Sequence, residues 1–169
     1  SSFPNGVPNP QLPQNHRMTA DAVIASGADM GVAWDGDFDR CFFFDHTGAF
    51  IPGEYIVGLL AQAFLAKEPG AAALGGELAA KLNESIITQS AGQGILSRTG
   101  HSHMKRALRD HNAVYGGEMS AHHYFRDFMA CDSGMIPWLL VAELIGNSGT
   151  SLANLIAPRI AAFPSSGEI

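Results

Sequence analysis

The chain has 169 residues, of which 46% are hydrophobic and 15% are charged, so it can bury the core of one domain or of one and a half. Its net charge is −6 and it has no lysine or arginine block, which argues against nucleic acid or an anionic membrane as a partner. No apolar run approaches the roughly 18 residues of a membrane span, and no stretch has the pattern of a signal peptide. Cys41 and Cys131 lie in unlike contexts and are most simply explained as free thiols in a reducing cytoplasm.

The first third of the chain predicts a lead-in, one helix and three short strands. Residues 1–13 contain four prolines and predict an extended lead-in. A helix follows over residues 14–26, with Gly27 as its stop signal. The predicted strands are residues 30–34, 41–44 and 49–51.

From residue 54 onward, helical and strand patterns alternate. Helices are predicted at 54–67, 77–91, 99–110, 134–146 and 151–161, and short strands at 71–74, 94–97 and 114–115. The predicted fold class is therefore α/β, with a mixed, mainly parallel sheet and helices on both faces, preceded by a partial α/β domain. The resulting domain bounds are 1–49 and 50–162, with residues 163–169 as a linker.

The sequence Trp-Asp-Gly-Asp-Phe-Asp-Arg at residues 34–40, here called the aspartate loop, contains a candidate metal site. Asp35, Asp37 and Asp39 occupy every second position, and alternate side chains of an extended or tightly turned backbone point the same way. Three convergent carboxylates repel one another unless a cation lies among them, and all-oxygen ligation suits Mg²⁺. A metal followed by Arg40 is also a combination suited to phosphate oxygens.

Two other interpretations of the aspartate loop compete with a metal site. A calcium-binding EF-hand loop requires glycine at its sixth position and glutamate at its twelfth, but Arg40 and His46 stand there. An acidic surface turn remains open, although apolar runs on both sides favour the end of a buried strand, where α/β sheets commonly keep their sites.

Residues 116–125, here called the Glu118 loop, form a second polar cluster after a predicted strand. Glu118, Ser120 and His122 alternate and so can share one face. A carboxylate, a hydroxyl and an imidazole suit a polyhydroxylated ligand, because sugar hydroxyls need both donors and acceptors. A solvated loop with a helix-capping serine is the alternative.

A third candidate is His101, in the Thr-Gly-His turn at residues 99–101. A histidine between a strand and a helix is placed for acid–base chemistry near neutral pH, and helix N-terminal amides favour an anion there. An ordinary capping or packing histidine is the alternative. The histidine pairs lack the i,i+4 spacing of common zinc motifs, so zinc is not favoured.

These three loops resemble those of one family, the α-D-phosphohexomutases, also called the phosphoglucomutase/phosphomannomutase family. Asp-Gly-Asp-Phe-Asp-Arg at 35–40 is similar to its metal loop, Gly-Glu-Met-Ser-Ala-His at 117–122 to its sugar-binding loop, and residues 99–101 to its Thr-Gly-His turn. Phe-Pro-Asn-Gly at 3–6 and Cys-Asp-Ser-Gly-Met-Ile-Pro-Trp at 131–138 are similar to bacterial phosphomannomutases of nucleotide-sugar pathways.

The resemblance implies a four-domain enzyme that interconverts hexose 6-phosphate and hexose 1-phosphate through a phosphoserine and a bisphosphorylated sugar. It implies roles for eight further side chains besides that serine. Asp35, Asp37 and Asp39 would hold Mg²⁺, Arg40 would steady the transferred phosphoryl group, Glu118 and Ser120 would bind sugar hydroxyls with His122 beside them, and His101 would be a proton shuttle.

The chain departs from the family pattern in two respects. The serine phosphorylation loop is absent, which predicts that domain 1 precedes residue 1, that domain 4 follows residue 169, and that this piece alone does not turn over. Leu78 stands where relatives carry Lys or Arg, with Lys81 one helical turn further on. The resemblance favours a phosphomannomutase over a phosphoglucomutase as the longer parent protein of which this chain is a part. The alternative is a non-catalytic sugar-phosphate-binding module. A Mg²⁺-dependent phosphatase is disfavoured by the separate sugar loop.

Overall fold

The structure is a computed structural model that describes residues 2–4, 6–76 and 92–164. The helix predicted at residues 77–91, with Leu78 and Lys81, lies outside the described residues, as does most of the predicted linker.

The first sheet has three antiparallel strands in the order β1-β2-β3. They are β1 (Met30–Trp34), β2 (Cys41–Asp45) and β3 (Phe50–Ile51). The helix α1 (His16–Ser26) lies against β1 and β2 and ends at Gly27, which has a left-handed backbone with φ 63°. All five residues of β2 are buried, which fits a strand covered on both faces rather than an alternating one.

The second sheet has five strands in the order β5-β4-β6-β7-β8. They are β4 (Ala72–Gly75), β5 (Gln93–Leu96), β6 (Tyr115–Gly117), β7 (His123–Phe125) and β8 (Cys131–Asp132). The pairs β5–β4 and β4–β6 are parallel, while β6–β7 and β7–β8 are antiparallel. The predicted mixed sheet is therefore confirmed.

Helices cover both faces of this sheet, as predicted. They are α2 (Gly53–Lys67), α3 (His101–Asp110), α4 (Pro137–Ser148) and α5 (Leu152–Ala162). One core cluster combines residues of α2, α4 and α5 with Tyr115 of β6. A second cluster packs Met104 and Leu108 of α3 against Leu74 and Tyr124 of the sheet.

Strands β7 and β8 were not predicted. The sequence pattern predicts residues 116–125 as one polar loop after a strand, in which the paired glycines let the backbone approach a ligand closely. In the structure, Tyr115 pairs with Phe125 and Gly117 with His123, so the Glu118 loop is the tip of a hairpin. Cross-strand packing overrides the local propensity here.

No single helix among the described residues is both long enough and apolar enough to cross a membrane. Helices α4 and α5 satisfy the length and composition criteria only as a pair, and the chain bends by 99° between them.

The two sheets meet where the aspartate loop lies against the Glu118 loop. Arg40 and His122 form an antiparallel bridge, and the Cys41 N–H donates to the Ala121 carbonyl at 3.3 Å. Gly134 supports the aspartate loop from the other side: its N–H donates to the Phe38 carbonyl at 3.2 Å, and its carbonyl accepts from Trp34 Nε1 at 2.7 Å.

Gly134 is therefore expected to tolerate no side chain. A Cβ at this position would lie 2.5 Å from the Phe38 carbonyl oxygen and 3.0 Å from that of Arg40, both of them rigid backbone atoms. Gly134→Ala should lower the free energy of unfolding by about 1–3 kcal/mol, the usual cost of overpacking, measured by urea denaturation.

Gly146→Ala is the matched control, because Gly146 lies within α4 and a Cβ there would meet no atom within 4 Å. It should leave stability unchanged or raise it by up to about 1 kcal/mol through helix propensity. Equal destabilisation by both variants would contradict the close packing of Gly134 on the aspartate loop.

His123 in β7 is a fully buried imidazole directly behind the Glu118 loop. Its Nδ1 lies 2.7 Å from the Tyr115 hydroxyl, and its Nε2 is buried with no hydrogen-bond partner among the described residues. Burial, together with the neighbouring charge of His122, lowers the pKa of His123 to about 3 from an ordinary 6.5. The folded protein therefore holds this side chain neutral.

The His123 shift predicts a loss of stability in acid. The unfolded chain takes up a proton on His123 below its ordinary pKa while the folded chain does not. The free energy of unfolding should therefore fall as the pH drops from 6.5 towards 3, by up to about 1.4 kcal/mol per pH unit from this group. His123→Asn, which keeps an acceptor for Tyr115, should flatten that dependence in denaturation curves at several pH values. His46→Asn, at an exposed position, should keep the original slope; a slope unchanged in His123→Asn would contradict the prediction.

Candidate active site

The three carboxylates of the aspartate loop converge. Asp35, Asp37 and Asp39 each offer one oxygen, and these oxygens lie within 4.8 Å of one another. Asp35 is buried, Asp37 is exposed and Asp39 is half-buried, so the group opens to solvent on one side. The turn depends on Phe38, a non-glycine residue at φ 65°. Convergent carboxylate oxygens are the ligand set that a hard divalent cation such as Mg²⁺ prefers.

Arg40 is tied to the buried member of this group. Its Nε donates to Asp35 Oδ2 at 2.6 Å and its backbone N–H to Asp35 Oδ1 at 3.2 Å. Burial alone would raise the pKa of Asp35, but the hydrogen bonds and charge of Arg40 outweigh burial and leave that pKa below its ordinary value. The Gln11 side chain of the lead-in accepts a further bond from Arg40 Nη1 at 3.2 Å. The guanidinium is thus held at the rim of the aspartate loop.

Asp39 links the aspartate loop to the Glu118 loop. Its Oδ2 lies 3.3 Å from His122 Nε2. Burial and the charges of Asp35 and Asp37 raise the pKa of Asp39, and the charge of His122 partly opposes that rise. The like charges that the spacing of the three aspartates brings together thus contribute to the raised pKa of Asp39.

Glu118 is buried in the site, with its side chain only 3% exposed. Its Oε1 accepts from the Gly100 backbone N–H at 2.7 Å, and its Oε2 accepts from the Tyr124 hydroxyl at 2.6 Å. Gly100 is the N-cap of α3, so the anion expected at this helix N-terminus is the protein's own Glu118. The Thr-Gly-His turn and the Glu118 loop are joined by this contact.

Ser120 and His122 form the accessible part of the Glu118 loop. Both are partly exposed, and Ser120 Oγ lies 3.0 Å from His122 Nδ1. The imidazole therefore has one nitrogen facing Ser120 and the other facing Asp39. The tip of the loop turns at Ala121, a second non-glycine residue with a left-handed backbone, at φ 69°.

His101 stands at the edge of this arrangement. It is the first residue of α3 and is exposed, and its neighbour Gly100 contacts Glu118 directly. The structure therefore brings the other seven candidate side chains into one connected group. His101 lies beside this group because the backbone N–H of its neighbour Gly100 donates to Glu118.

Two charged residues of the site were missed by sequence reasoning. Lys105 Nζ lies 2.7 Å from Asp132 Oδ1, with these side chains 25% and 12% exposed. Asp132 in turn has an oxygen within 4.8 Å of polar atoms of Asp39 and His122. The available signal was the i,i+4 spacing of His101 and Lys105, which places both on one side of α3.

The combined site holds groups of the chemical types that suit a divalent cation, a phosphate and a hydroxylated ligand. The aspartate loop supplies anionic oxygens, Arg40 supplies guanidinium N–H donors, and the Glu118 loop supplies a hydroxyl and an imidazole. Arg40 and His122 contact Asp39 directly, and Ser120 is connected to it through His122.

Comparison with known proteins points to the same family that the three loops resemble. Residues 52–163 match the family model for the alpha/beta/alpha domain III of phosphoglucomutase/phosphomannomutase, and residues 1–48 match the model for its domain II. A phosphomannomutase of Escherichia coli is 59% identical over 167 residues, which cover 99% of this chain and 37% of the relative. The chain thus spans little more than a third of the length of that curated relative.

Solved structures also match. A phosphoglucomutase/phosphomannomutase family protein of Burkholderia thailandensis superposes with a TM-score of 0.80 at 28% identity, covering 96% of this chain and 35% of that one. An N-acetylphosphoglucosamine mutase of Aspergillus fumigatus, in complex with GlcNAc-6P and magnesium, has a TM-score of 0.60 at 16% identity and covers 75% of this chain and 34% of its own; at that identity it supports the fold alone. From the family models and the match to the curated relative, the chain belongs to the phosphoglucomutase/phosphomannomutase family.

Proposed function

We propose that this chain is the central part of a phosphomannomutase that interconverts mannose 6-phosphate and mannose 1-phosphate. The observation that carries the proposal is the 3.3 Å contact between Asp39 and His122, because it puts the candidate metal loop and the candidate sugar loop into one site. The similarity to the E. coli phosphomannomutase, at 59% identity, favours mannose over glucose as the substrate class. A cytoplasmic location agrees with Cys41 and Cys131, both of which are free thiols.

In this proposal Asp35, Asp37 and Asp39 hold Mg²⁺. The three oxygens within 4.8 Å of one another fit such an ion, because its charge offsets their mutual repulsion. When bound, Mg²⁺ supplies positive charge to the oxygens of a phosphoryl group in transfer. Arg40 keeps Asp35 ionised and so maintains the ligand charge of the group.

Arg40 also serves as the phosphate-binding residue. Its contacts with Asp35 and Gln11 use Nε and Nη1, and the guanidinium carries five N–H donors in all. Donors therefore remain for the oxygens of a transferred phosphoryl group, which planar guanidinium groups bind well.

The sugar ring lies against the Glu118 loop. Ser120 and His122 meet its hydroxyls from the partly exposed tip of the loop, and Glu118 accepts from one of them with lone pairs that Gly100 and Tyr124 leave unused. A carboxylate has about four lone-pair sites, so two contacts do not exhaust it. His101, exposed at the start of α3, is the proposed proton shuttle.

The proposal assigns residues 1–49 to domain 2 and residues 50–162 to domain 3, with residues 163–169 leading to a fourth domain. The phosphoserine that exchanges phosphate with the bisphosphorylated sugar belongs to a domain outside this chain. The piece alone should bind metal and sugar phosphate without turnover.

The metal assignment predicts that Asp37→Asn in the parent protein abolishes mutase turnover and weakens Mg²⁺ binding at least tenfold, because one anionic ligand becomes neutral. Binding is measured by competition against Mn²⁺ in electron paramagnetic resonance, and turnover by a coupled mutase assay. Asp21→Asn is the control, since Asp21 lies on α1 with its side chain 65% exposed, away from the loop. Full activity in Asp37→Asn would remove the metal assignment.

The function itself is tested by a coupled assay on the full-length parent with mannose 1-phosphate and glucose 1-phosphate. We expect conversion of both, with the higher kcat/KM for mannose 1-phosphate, and no conversion by residues 1–169 alone. Sugar-phosphate binding without turnover by the parent would instead support the non-catalytic module.

A further inference from the structure

The Glu118 carboxylate is a buried anion that depends on two hydrogen bonds. An ionised carboxylate at 3% side-chain exposure is costly unless its oxygens are satisfied. One oxygen is satisfied by the Gly100 N–H at 2.7 Å and the other by the Tyr124 hydroxyl at 2.6 Å. Both are charge-assisted bonds, and Gly100 adds the favourable N-terminal field of α3.

Among the described residues, Tyr124 is the side chain that donates a hydrogen bond to Glu118. His122 Nδ1 is 3.8 Å from Glu118 Oε2, beyond ordinary hydrogen-bond length. The orientation of the carboxylate therefore rests on one backbone amide and one phenol, and only the phenol can be changed by substitution of a side chain.

The Tyr124 ring cannot follow the carboxylate if Glu118 moves. Tyr124 is fully buried in β7, where it pairs with Gly116 on one side and Asp132 on the other. Its ring packs with Met104 and Leu108 of α3 and lies 6.3 Å from the His122 ring at an interplanar angle of 23°. Its hydroxyl is consequently a fixed point in the site.

We propose that Tyr124 is a positioning residue for sugar recognition: its hydroxyl fixes the Glu118 carboxylate so that the remaining lone pairs face the sugar hydroxyls beside Ser120 and His122. This inference rests on the proposed sugar-binding role of Glu118. Without the phenol, the carboxylate keeps only the Gly100 contact and is free to rotate about its last torsion.

The test compares four variants of the full-length parent: Tyr124→Phe, Glu118→Gln, the double variant, and Tyr115→Phe as control. Tyr115 is an equally buried tyrosine whose hydroxyl contacts His123 Nδ1 at 2.7 Å and not Glu118. KM and kcat for mannose 1-phosphate are measured by coupled assay, and Kd for the same ligand by calorimetry, which needs no turnover.

We expect Tyr124→Phe to raise KM and Kd about tenfold with kcat changed by less than about twofold. This is the pattern expected when one hydrogen bond to a charged group is lost and the substrate and the transition state are weakened equally. Tyr115→Phe should leave KM, kcat and Kd unchanged. In the Glu118→Gln background, Tyr124→Phe should add little, because the two changes remove one shared interaction. If Tyr124 had a merely structural role, Tyr124→Phe would lower the unfolding temperature. It would show neither the rise of KM at nearly constant kcat nor the non-additivity with Glu118→Gln.

Two outcomes overturn the inference at different points. If Glu118→Gln raises KM and Kd but Tyr124→Phe behaves like Tyr115→Phe, Tyr124 does not position Glu118 and the sugar-binding role of Glu118 survives. If Glu118→Gln itself leaves KM and Kd unchanged, the sugar-binding role of Glu118 fails and the positioning role of Tyr124 fails with it.

Discussion

The site is dominated by the repulsion among carboxylates that the fold forces together. Asp35, Asp37 and Asp39 have oxygens within 4.8 Å of one another, and Asp132 reaches the same distance from Asp39. Arg40 offsets part of this charge at Asp35, and Lys105 does so at Asp132. Asp39 has His122 Nε2 at 3.3 Å and Arg40 Nε at a longer 3.9 Å, and burial and its like-charged neighbours raise its pKa. A divalent cation is the simplest addition that would relieve this electrostatic cost.

Because the two loops contact each other, the site contains residues from loops of both sheets. The Arg40–His122 bridge and the Cys41–Ala121 hydrogen bond are backbone contacts, so they do not depend on side-chain rotamers. Gly134 adds a third attachment through Phe38 and Trp34. Residues matched by two separate domain models are therefore joined at the position where metal and sugar are proposed to meet.

Much of this arrangement could be predicted from sequence because it depends on local spacing. Period-two aspartates predicted the convergent loop, helical periodicity predicted α2 and the later helices, and Gly27 predicted the end of α1. Alternation in residues 118–122 indicated a shared polar face, although Glu118 is buried while Ser120 and His122 stay partly exposed.

What sequence reasoning missed depends on contacts between distant segments. Strands β7 and β8 are three and two residues long; β7 exists through pairing with β6 and β8 through pairing with β7. Lys105 joins the site only because α3 packs beside β8, and Tyr124 reaches Glu118 only because the hairpin folds back. The i,i+4 spacing of His101 and Lys105 is a weak signal for Lys105, and Tyr124 carries no such periodic signal.

Phe38 and Ala121, one in each loop, hold left-handed backbone that side chains disfavour by about 1 kcal/mol or more apiece. Selection for heat resistance alone would replace either residue with glycine, which adopts that conformation without strain. Such a replacement would also widen the conformations available to each loop tip, since a Cβ restricts them. Thermal stability and the precise geometry of the two loops are therefore opposed at these two positions. Variants selected for thermal stability alone are expected to have less precisely ordered loops.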